Sequence, residues 1–170
     1  MSSWEYIAFD IEANGFKPNV IFCICMTDLL SLESRTFYGD DLAEACAILG
    51  EAKLVVGHYI RGYDCPVIEK LTDGLIKFED AAMLDTLDMS KRLCPKRQKH
   101  SLEVWGEEFG LPKLKSPLFE VFDPAMLPYC NRDVEITVKL FFHLVEVYLS
   151  GDCKTTFRNS AALDDFFTRL

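Results

Sequence analysis

Asp10 and Glu12 stand two apart, Asp10 inside the apolar run of residues 6–11 and Glu12 directly after it, and the run reads as a strand. Side chains at i and i+2 of a strand share one face, so both carboxylates project together. Asp64 follows at the head of a helical pattern, and Tyr129 and Asp133 stand four apart where a long helical pattern begins. Four apart on a helix is again one face. Four carboxylates at one point repel one another: a pair about 4 Å apart costs roughly 4 kcal/mol at an effective dielectric near 20. Cations relieve that repulsion, and hard divalent cations such as Mg2+ or Mn2+ take oxygen ligands. Two such ions can steady the attacking and leaving oxygens of a phosphodiester. Tyr129, one helical turn before Asp133, is placed to orient a water. Its role is positioning, because a phenol with a pKa near 10 is a poor base.

The elements that must hold these residues are legible from periodicity. Residues 6–11, 20–27 and 34–38 read as three successive strands, with turns at Asn14-Gly15 and around Leu32. Asp40 or Asp41 is expected to cap a helix with an apolar stripe of Leu42, Ala45, Cys46 and Leu49, stopped by Gly50. Leu54, Val55 and Val56 read as a buried fourth strand. Asp64 is expected as the N-cap of a helix with Pro66 in its first turn, burying Val67, Ile68 and Leu71. Further helices are predicted over 86–93 and 101–109, the second ended by Gly110. The longest is predicted over 128–149, since Pro128 is tolerated only near a helix start. Its core candidates are Val134, Val138, Phe141, Phe142 and Val145. This order predicts an α/β fold, a mixed central sheet flanked by helices.

At 170 residues the chain is long enough for one sizeable core, placed over 1–150. Residues 151–170 form a C-terminal tail, with a short helix expected over 161–170. The start of the chain does not read as a signal peptide. No apolar stretch approaches the roughly 20 residues that span a membrane. The expectation is a cytoplasmic protein, in the host cytoplasm if phage-encoded. Seven cysteines are scattered at 23, 25, 46, 65, 94, 130 and 153, without a CxxC or HxxxH pair. A zinc site is therefore not expected, and reduced, buried thiols are.

The net charge of −9 argues against a general nucleic-acid coat, because phosphate binding is driven by Lys and Arg. Four of those negative charges belong to the proposed site, where two divalent cations would offset them. One basic run, Lys91, Arg92, Lys96, Arg97, Lys99 and His100, stands out as an electrostatic track for an incoming strand. Asp85, before Thr86, reads as a capping acid. Trp105, Leu102 and Phe109 read as core.

Three segments carry a resemblance. Phe9-Asp10-Ile11-Glu12-Ala13-Asn14-Gly15, Gly57-His58-Tyr59-Ile60-Arg61-Gly62-Tyr63-Asp64 and Tyr129-Cys130-Asn131-Arg132-Asp133 resemble the three motifs of the DEDD (DnaQ-like) 3′–5′ exonuclease superfamily. The tyrosine four before the last aspartate matches the DEDDy branch; the histidine branch would want His where Pro128 stands. Residues 84–93 and 99–106 are further similar to the proofreading exonuclease domain of phage family A DNA polymerases, and the chain is expected to be a free-standing form of it. The likeness covers residues 5–149. It implies a ribonuclease H-like fold and metal ligation by Asp10, Glu12, Asp64 and Asp133, with Tyr129 on the water. It also implies that Ala13 and Asn14 lie along the 3′-terminal nucleotide.

One departure is Tyr59, where the family's second motif carries Asn. A tyrosine there is expected to stack on a base. His58, Tyr63, Arg97, Lys99 and His100 complete the expected nucleic-acid contacts. The expected partner is a single-stranded DNA 3′ end. A separate polymerase or replication protein docked through the tail is a further candidate. Two alternatives stay open: an RNA exonuclease with the same motifs, and a non-catalytic nucleic-acid-binding or adaptor module that keeps the fold.

Overall fold

The computed structural model describes residues 4–79, 82–151 and 160–170. Five strands form one mixed sheet: β1 (Tyr6–Ala13), β2 (Ile21–Asp28), β3 (Ser34–Tyr38), β4 (Leu54–Gly57) and β5 (Met83–Asp85). Their order is β3-β2-β1-β4-β5. The first three pair antiparallel as a meander, whereas β4 and β5 join parallel to β1 and to each other. β5, only three residues long, escapes a periodicity reading because so short a run shows no alternation.

The helices cover both faces. α1 (Leu42–Glu51) and α2 (Asp64–Leu71) lie on one side, where Ile7, Phe9 and Ile11 of β1 meet Ala45, Leu49, Val67 and Ile68. α3 (Thr86–Leu93), α4 (Leu102–Glu108) and α5 (Met126–Leu149) cover the other, packed on Tyr6 and Ala8. The strict alternation in β1 thus sends even-numbered side chains toward α5, and Asp10 and Glu12 are even. Among the described residues, no helix is long and apolar enough to cross a membrane.

Three sequence expectations shift. α5 starts at Met126, two residues before Pro128, because Asp123 organises the turn ahead of it. The Asp123 Oδ1 accepts from Ala125 N–H at 2.8 Å, and its carbonyl accepts from Met126 N–H at 2.8 Å. Pro128 remains in the first turn, where its missing N–H costs nothing. Gly50 does not stop α1, which runs on to Glu51. A Cβ on Gly50 would meet Ile76 Cδ1 at 2.9 Å, so close packing explains this glycine. Asp64 is the first residue of α2, not its N-cap. Its Oδ1 reaches across to accept from the Ile11 N–H of β1 at 3.1 Å.

Of the tail, residues 152–159 lie outside the described residues. α6 (Ser160–Phe167) buries Leu163 and Phe166 in the same core as α5. Phe166 packs on Tyr6 and Phe141, with centroids 5.4 and 5.7 Å apart, and the Tyr6 hydroxyl donates to Asp165 at 2.5 Å.

Candidate active site

Four elements deliver the acidic residues to one place. β1 carries Asp10 and Glu12 on its α5 face, and the register slips in a bulge between Glu12 and Ala13. That bulge ends regular pairing just past the second carboxylate and turns the chain toward Gly15. The parallel strand β4 ends at Gly57, and the loop after it returns as α2 with Asp64 at its head. α5 packs on β1 and β2 and presents Tyr129 and Asp133. Asp10, Glu12, Asp64, Tyr129 and Asp133 together line one open cavity of about 500 Å³. Its remaining walls include Ala13, Gly15, Phe16, His58, Tyr59, Tyr63, Lys113 and Phe119.

Electrostatics in this cavity follow from burial. Asp10 sits well above the usual carboxylate range, driven first by desolvation and then by the charges of Asp64, Glu12 and Asp133. Burial likewise pushes Glu12 up to about 9 and Asp64 up to about 7. Asp133 is raised as well, because desolvation outweighs its bond to Lys113. That bond is the main surprise of the site: Lys113 Nζ lies 2.6 Å from Asp133 Oδ2 and 5.0 Å from the centre of the Tyr129 ring. Burial works against the ammonium, but Asp133 and Tyr129 hold it in the charged form. The other Asp133 oxygen, Oδ1, is buried without a hydrogen-bond partner. An ionisable oxygen left so is costly unless something outside the protein satisfies it. Hard oxygen donors, mutual repulsion and this orphan oxygen all fit divalent cations.

The second motif is held rigidly. Asp85 accepts from the backbone N–H of Tyr59 at 2.9 Å, of Arg61 at 3.2 Å and of Leu87 at 3.0 Å. It therefore caps α3 as expected and also ties down the loop between β4 and α2. Tyr59 takes φ +67, a left-handed conformation that asparagine adopts easily and an aromatic residue rarely does. Its ring lies over Gly62, where a Cβ would come within 2.2 Å of Tyr59 Cζ. Half-exposed and on the cavity wall, that ring offers a flat apolar face to solvent. His58 Nδ1 is hydrogen-bonded to Thr86 Oγ1 at 2.9 Å, and burial, aided by Lys113 and Lys91, pulls its pKa down to about 4. It is a neutral imidazole at physiological pH. Tyr63 donates to the Gly15 carbonyl at 2.7 Å, fixing the turn beside Glu12.

The other expected strand contacts divide. Ala13 lines the cavity, while the Asn14 Oδ1 accepts from Asn19 and Val20 N–H at 2.9 and 3.0 Å and so shapes the turn. His100 borders an adjoining cavity with Lys91, Ser101 and Lys113, and its ring is fixed by Ser90 at 2.7 Å. Arg97 is engaged elsewhere: it forms a two-pronged pair with Glu108 and lies 3.7 Å over the Trp105 ring. Lys99 lines neither cavity, and its carbonyl accepts from Arg97. The basic run thus supplies Lys91 and His100 to the walls and spends Arg97 on the fold.

Sequence reasoning missed Lys113, Phe16 and Phe119. Lys113 lies in a Pro-rich loop without periodicity, so nothing in its neighbourhood marks it. Phe16, fully exposed directly after the first motif, was findable as an apolar residue with no core to enter.

No protein-family model matches the sequence, and no curated protein matches it. Solved structures do. The Brucella melitensis nuclease NrnC bound to pGG superposes with TM-score 0.67 at 17% identity, over 99% of this chain and 83% of that one. The family B DNA polymerase of Pyrobaculum calidifontis gives TM-score 0.61 at 17% identity, covering 82% of this chain and 24% of the polymerase. Phi29 DNA polymerase complexed with primer-template DNA gives 0.52 at 14%, over 88% and 32%. The fold is ribonuclease H-like. In this chain the strand that carries Asp10 and Glu12, β1, is flanked by the antiparallel β2 and the parallel β4.

Proposed function

We propose that the chain is a metal-dependent 3′–5′ exonuclease of the DEDDy type. It would hydrolyse single-stranded DNA from the 3′ end and release nucleoside 5′-monophosphates. The observation that carries this reading is the convergence of Asp10, Glu12, Asp64 and Asp133 in one cavity, with Asp133 Oδ1 left unsatisfied. The fold likeness to NrnC, also solved with bound Mg2+, and to DNA polymerases supports it.

Asp10, Glu12, Asp64 and Asp133 would hold two divalent cations, Mg2+ or Mn2+, which supply positive charge at the scissile phosphate. Tyr129 positions the attacking water from the wall beside Asp133. Lys113 fixes the Asp133 carboxylate and the Tyr129 ring relative to each other. Tyr59 and Phe16 offer faces on which terminal bases can stack, a contact worth about 1–3 kcal/mol per base. Single-strand ends suit an acidic chain, because few phosphates need be held at once.

The test uses labelled single-stranded DNA and, in parallel, the matching RNA, with Mg2+ or Mn2+. Stepwise shortening of a 5′-labelled strand and early loss of a 3′ label are expected on DNA. Shortening in the Asp10→Ala/Glu12→Ala variant at the wild-type rate would overturn the assignment, and faster loss of the RNA would move the substrate to RNA.

Lys113→Met should lower turnover about a hundredfold, the scale expected when a reacting group is misplaced by about 1 Å. The same variant should reach half-maximal activity at a lower Mg2+ concentration, because a competing positive charge has left the site. A Mg2+ titration of the initial rate measures both effects; unchanged turnover would remove Lys113 from the machinery.

A further inference from the structure

Behind the carboxylates lies a second set of donors that the proposed hydrolysis does not use. In the antiparallel pairing of β1 with β2, Cys25 stands opposite Asp10 and Cys23 opposite Glu12. Directly opposed residues share a face of the sheet, so the face that carries the two acids carries the two thiols beside them. α5 packs over this face and adds Cys130. The Sγ atoms of Cys23, Cys25 and Cys130 lie within 4.8 Å of one another, and all three residues are fully buried. A tetrahedral thiolate set with metal–sulfur bonds of about 2.3 Å has edges of about 3.8 Å, so closure needs a movement of about 1 Å at most.

The carboxylate nearest this set is Asp10, which adjoins it through Cys130 and would complete it by turning toward Cys23 and Cys25. Cys130 Sγ is 3.5 Å from Asp10 Oδ2, and the ligand atoms of Asp10, Glu12 and Cys130 also fall within 4.8 Å of one another. Cys130 therefore belongs to both groups, one of soft sulfur and one of hard oxygen. Asp10 lines the cavity and is partly exposed, and the buried Cys130 stands next to it on the side away from the cavity lining. Sequence spacing hides this set, because two ligands come from one strand and the third from a helix more than a hundred residues later.

We propose that Cys23, Cys25 and Cys130, with Asp10 as the fourth ligand, form a site for one thiophilic d10 cation, Zn2+ or Cd2+, and that filling it withdraws Asp10 from the carboxylate site. Each thiol releases to solvent whatever S–H proton it still holds as its metal–sulfur bond forms, and Asp10 contributes its carboxylate, releasing any proton it holds; no electron is transferred. Sulfur ligands select against Mg2+, so the two sites sort cations by softness. The inhibition arm rests on the nuclease reading; the binding arm does not.

The experiment titrates the metal-free full-length chain, kept reduced by a phosphine, with Cd2+ alone. A cadmium–thiolate charge-transfer band in the ultraviolet should grow to a break at one equivalent. It should be lost in Cys25→Ser and in Cys23→Ser, which keep Cys46, Cys65, Cys94 and Cys153. Thr36 Oγ1 and the Leu127 carbonyl, 3.7 and 3.9 Å from Cys25 Sγ, are the polar groups nearest a serine at position 25, which must shift to reach either. Should melting show that Cys25→Ser does not fold, Cys23→Ala carries the comparison. In the Mg2+-supported assay, one equivalent of Cd2+ should abolish wild-type turnover and spare Cys25→Ser. No band, or a band persisting in both cysteine variants, overturns the site. A band without loss of turnover overturns Asp10 as its ligand. Absence of turnover without Cd2+ would sink the nuclease reading alone, and the band would still decide the cysteine site.

Discussion

Asp64→Asn is expected to stay folded and to lose nuclease turnover roughly a thousandfold. The two halves of that result have separate causes. The structural task of Asp64 is to accept the Ile11 N–H at 3.1 Å, and an asparagine Oδ1 can accept the same bond. The chemical task is to offer a full negative charge to a hard cation, and a neutral amide does that poorly. Metal stabilisation of developing charge is worth several kcal/mol, and each 1.36 kcal/mol is tenfold in rate. Without divalent cations the variant should melt higher than wild type at pH 8, because one of four mutually repelling buried acids is gone. Turnover within tenfold of wild type would show that Asp64 is a structural acid and that the cation site is built differently.

The acidic residues were readable because their positions are fixed by local geometry. Strand alternation alone puts Asp10 and Glu12 on one face, and one helical turn alone joins Tyr129 to Asp133. The meander of β1 to β3 was equally readable, since its turns carry their own residues. What stayed hidden depends on distant partners. Asp64 looked like a cap because its hydrogen-bond partner, Ile11, is 53 residues away. β5 exists only because β4 accepts it as a parallel neighbour. Lys113 reaches Asp133 from an irregular loop, where no period marks a side chain's direction. Arg97 was legible as a cation but not as one spent on Glu108 and Trp105. The three thiols were each correctly expected to be buried. Their convergence required the β1–β2 register and the docking of α5.

Asp10 and Asp133 show why hard cations should govern the stability of this fold. Both are raised by burial, as are Glu12 and Asp64. These four therefore hold more protons in the folded than in the unfolded chain between about pH 4, where free carboxyls titrate, and the Glu12 value of about 9. Against them stands the smaller opposite effect of His58 and Cys23, each lowered to about 4. When the folded state holds more protons, stability falls as pH rises. The contribution is complete below the unfolded value and is lost as pH climbs toward the folded ones. For the metal-free chain this predicts a Tm highest near pH 5 and lower at pH 9. Each fully titrating group contributes up to about 1.4 kcal/mol per pH unit, and relaxation of the site will reduce that. A net loss of about 2–4 kcal/mol corresponds to a Tm drop of about 5–15 °C for a chain this size. Millimolar Mg2+ or Mn2+ should reverse the trend, because cations bind the ionised cluster of the folded state and raise its stability by RT ln(1 + [L]/Kd). The gain should be small at pH 5, where protons compete, and largest at pH 9. In Asp64→Asn the slope with pH should flatten, since one titrating group has been removed. Melting curves in chelator and in Mn2+, from pH 5 to 9, measure all three effects. A Tm in chelator that rises with pH across this window would show that the acids are ionised and satisfied within the protein, with no need of cations.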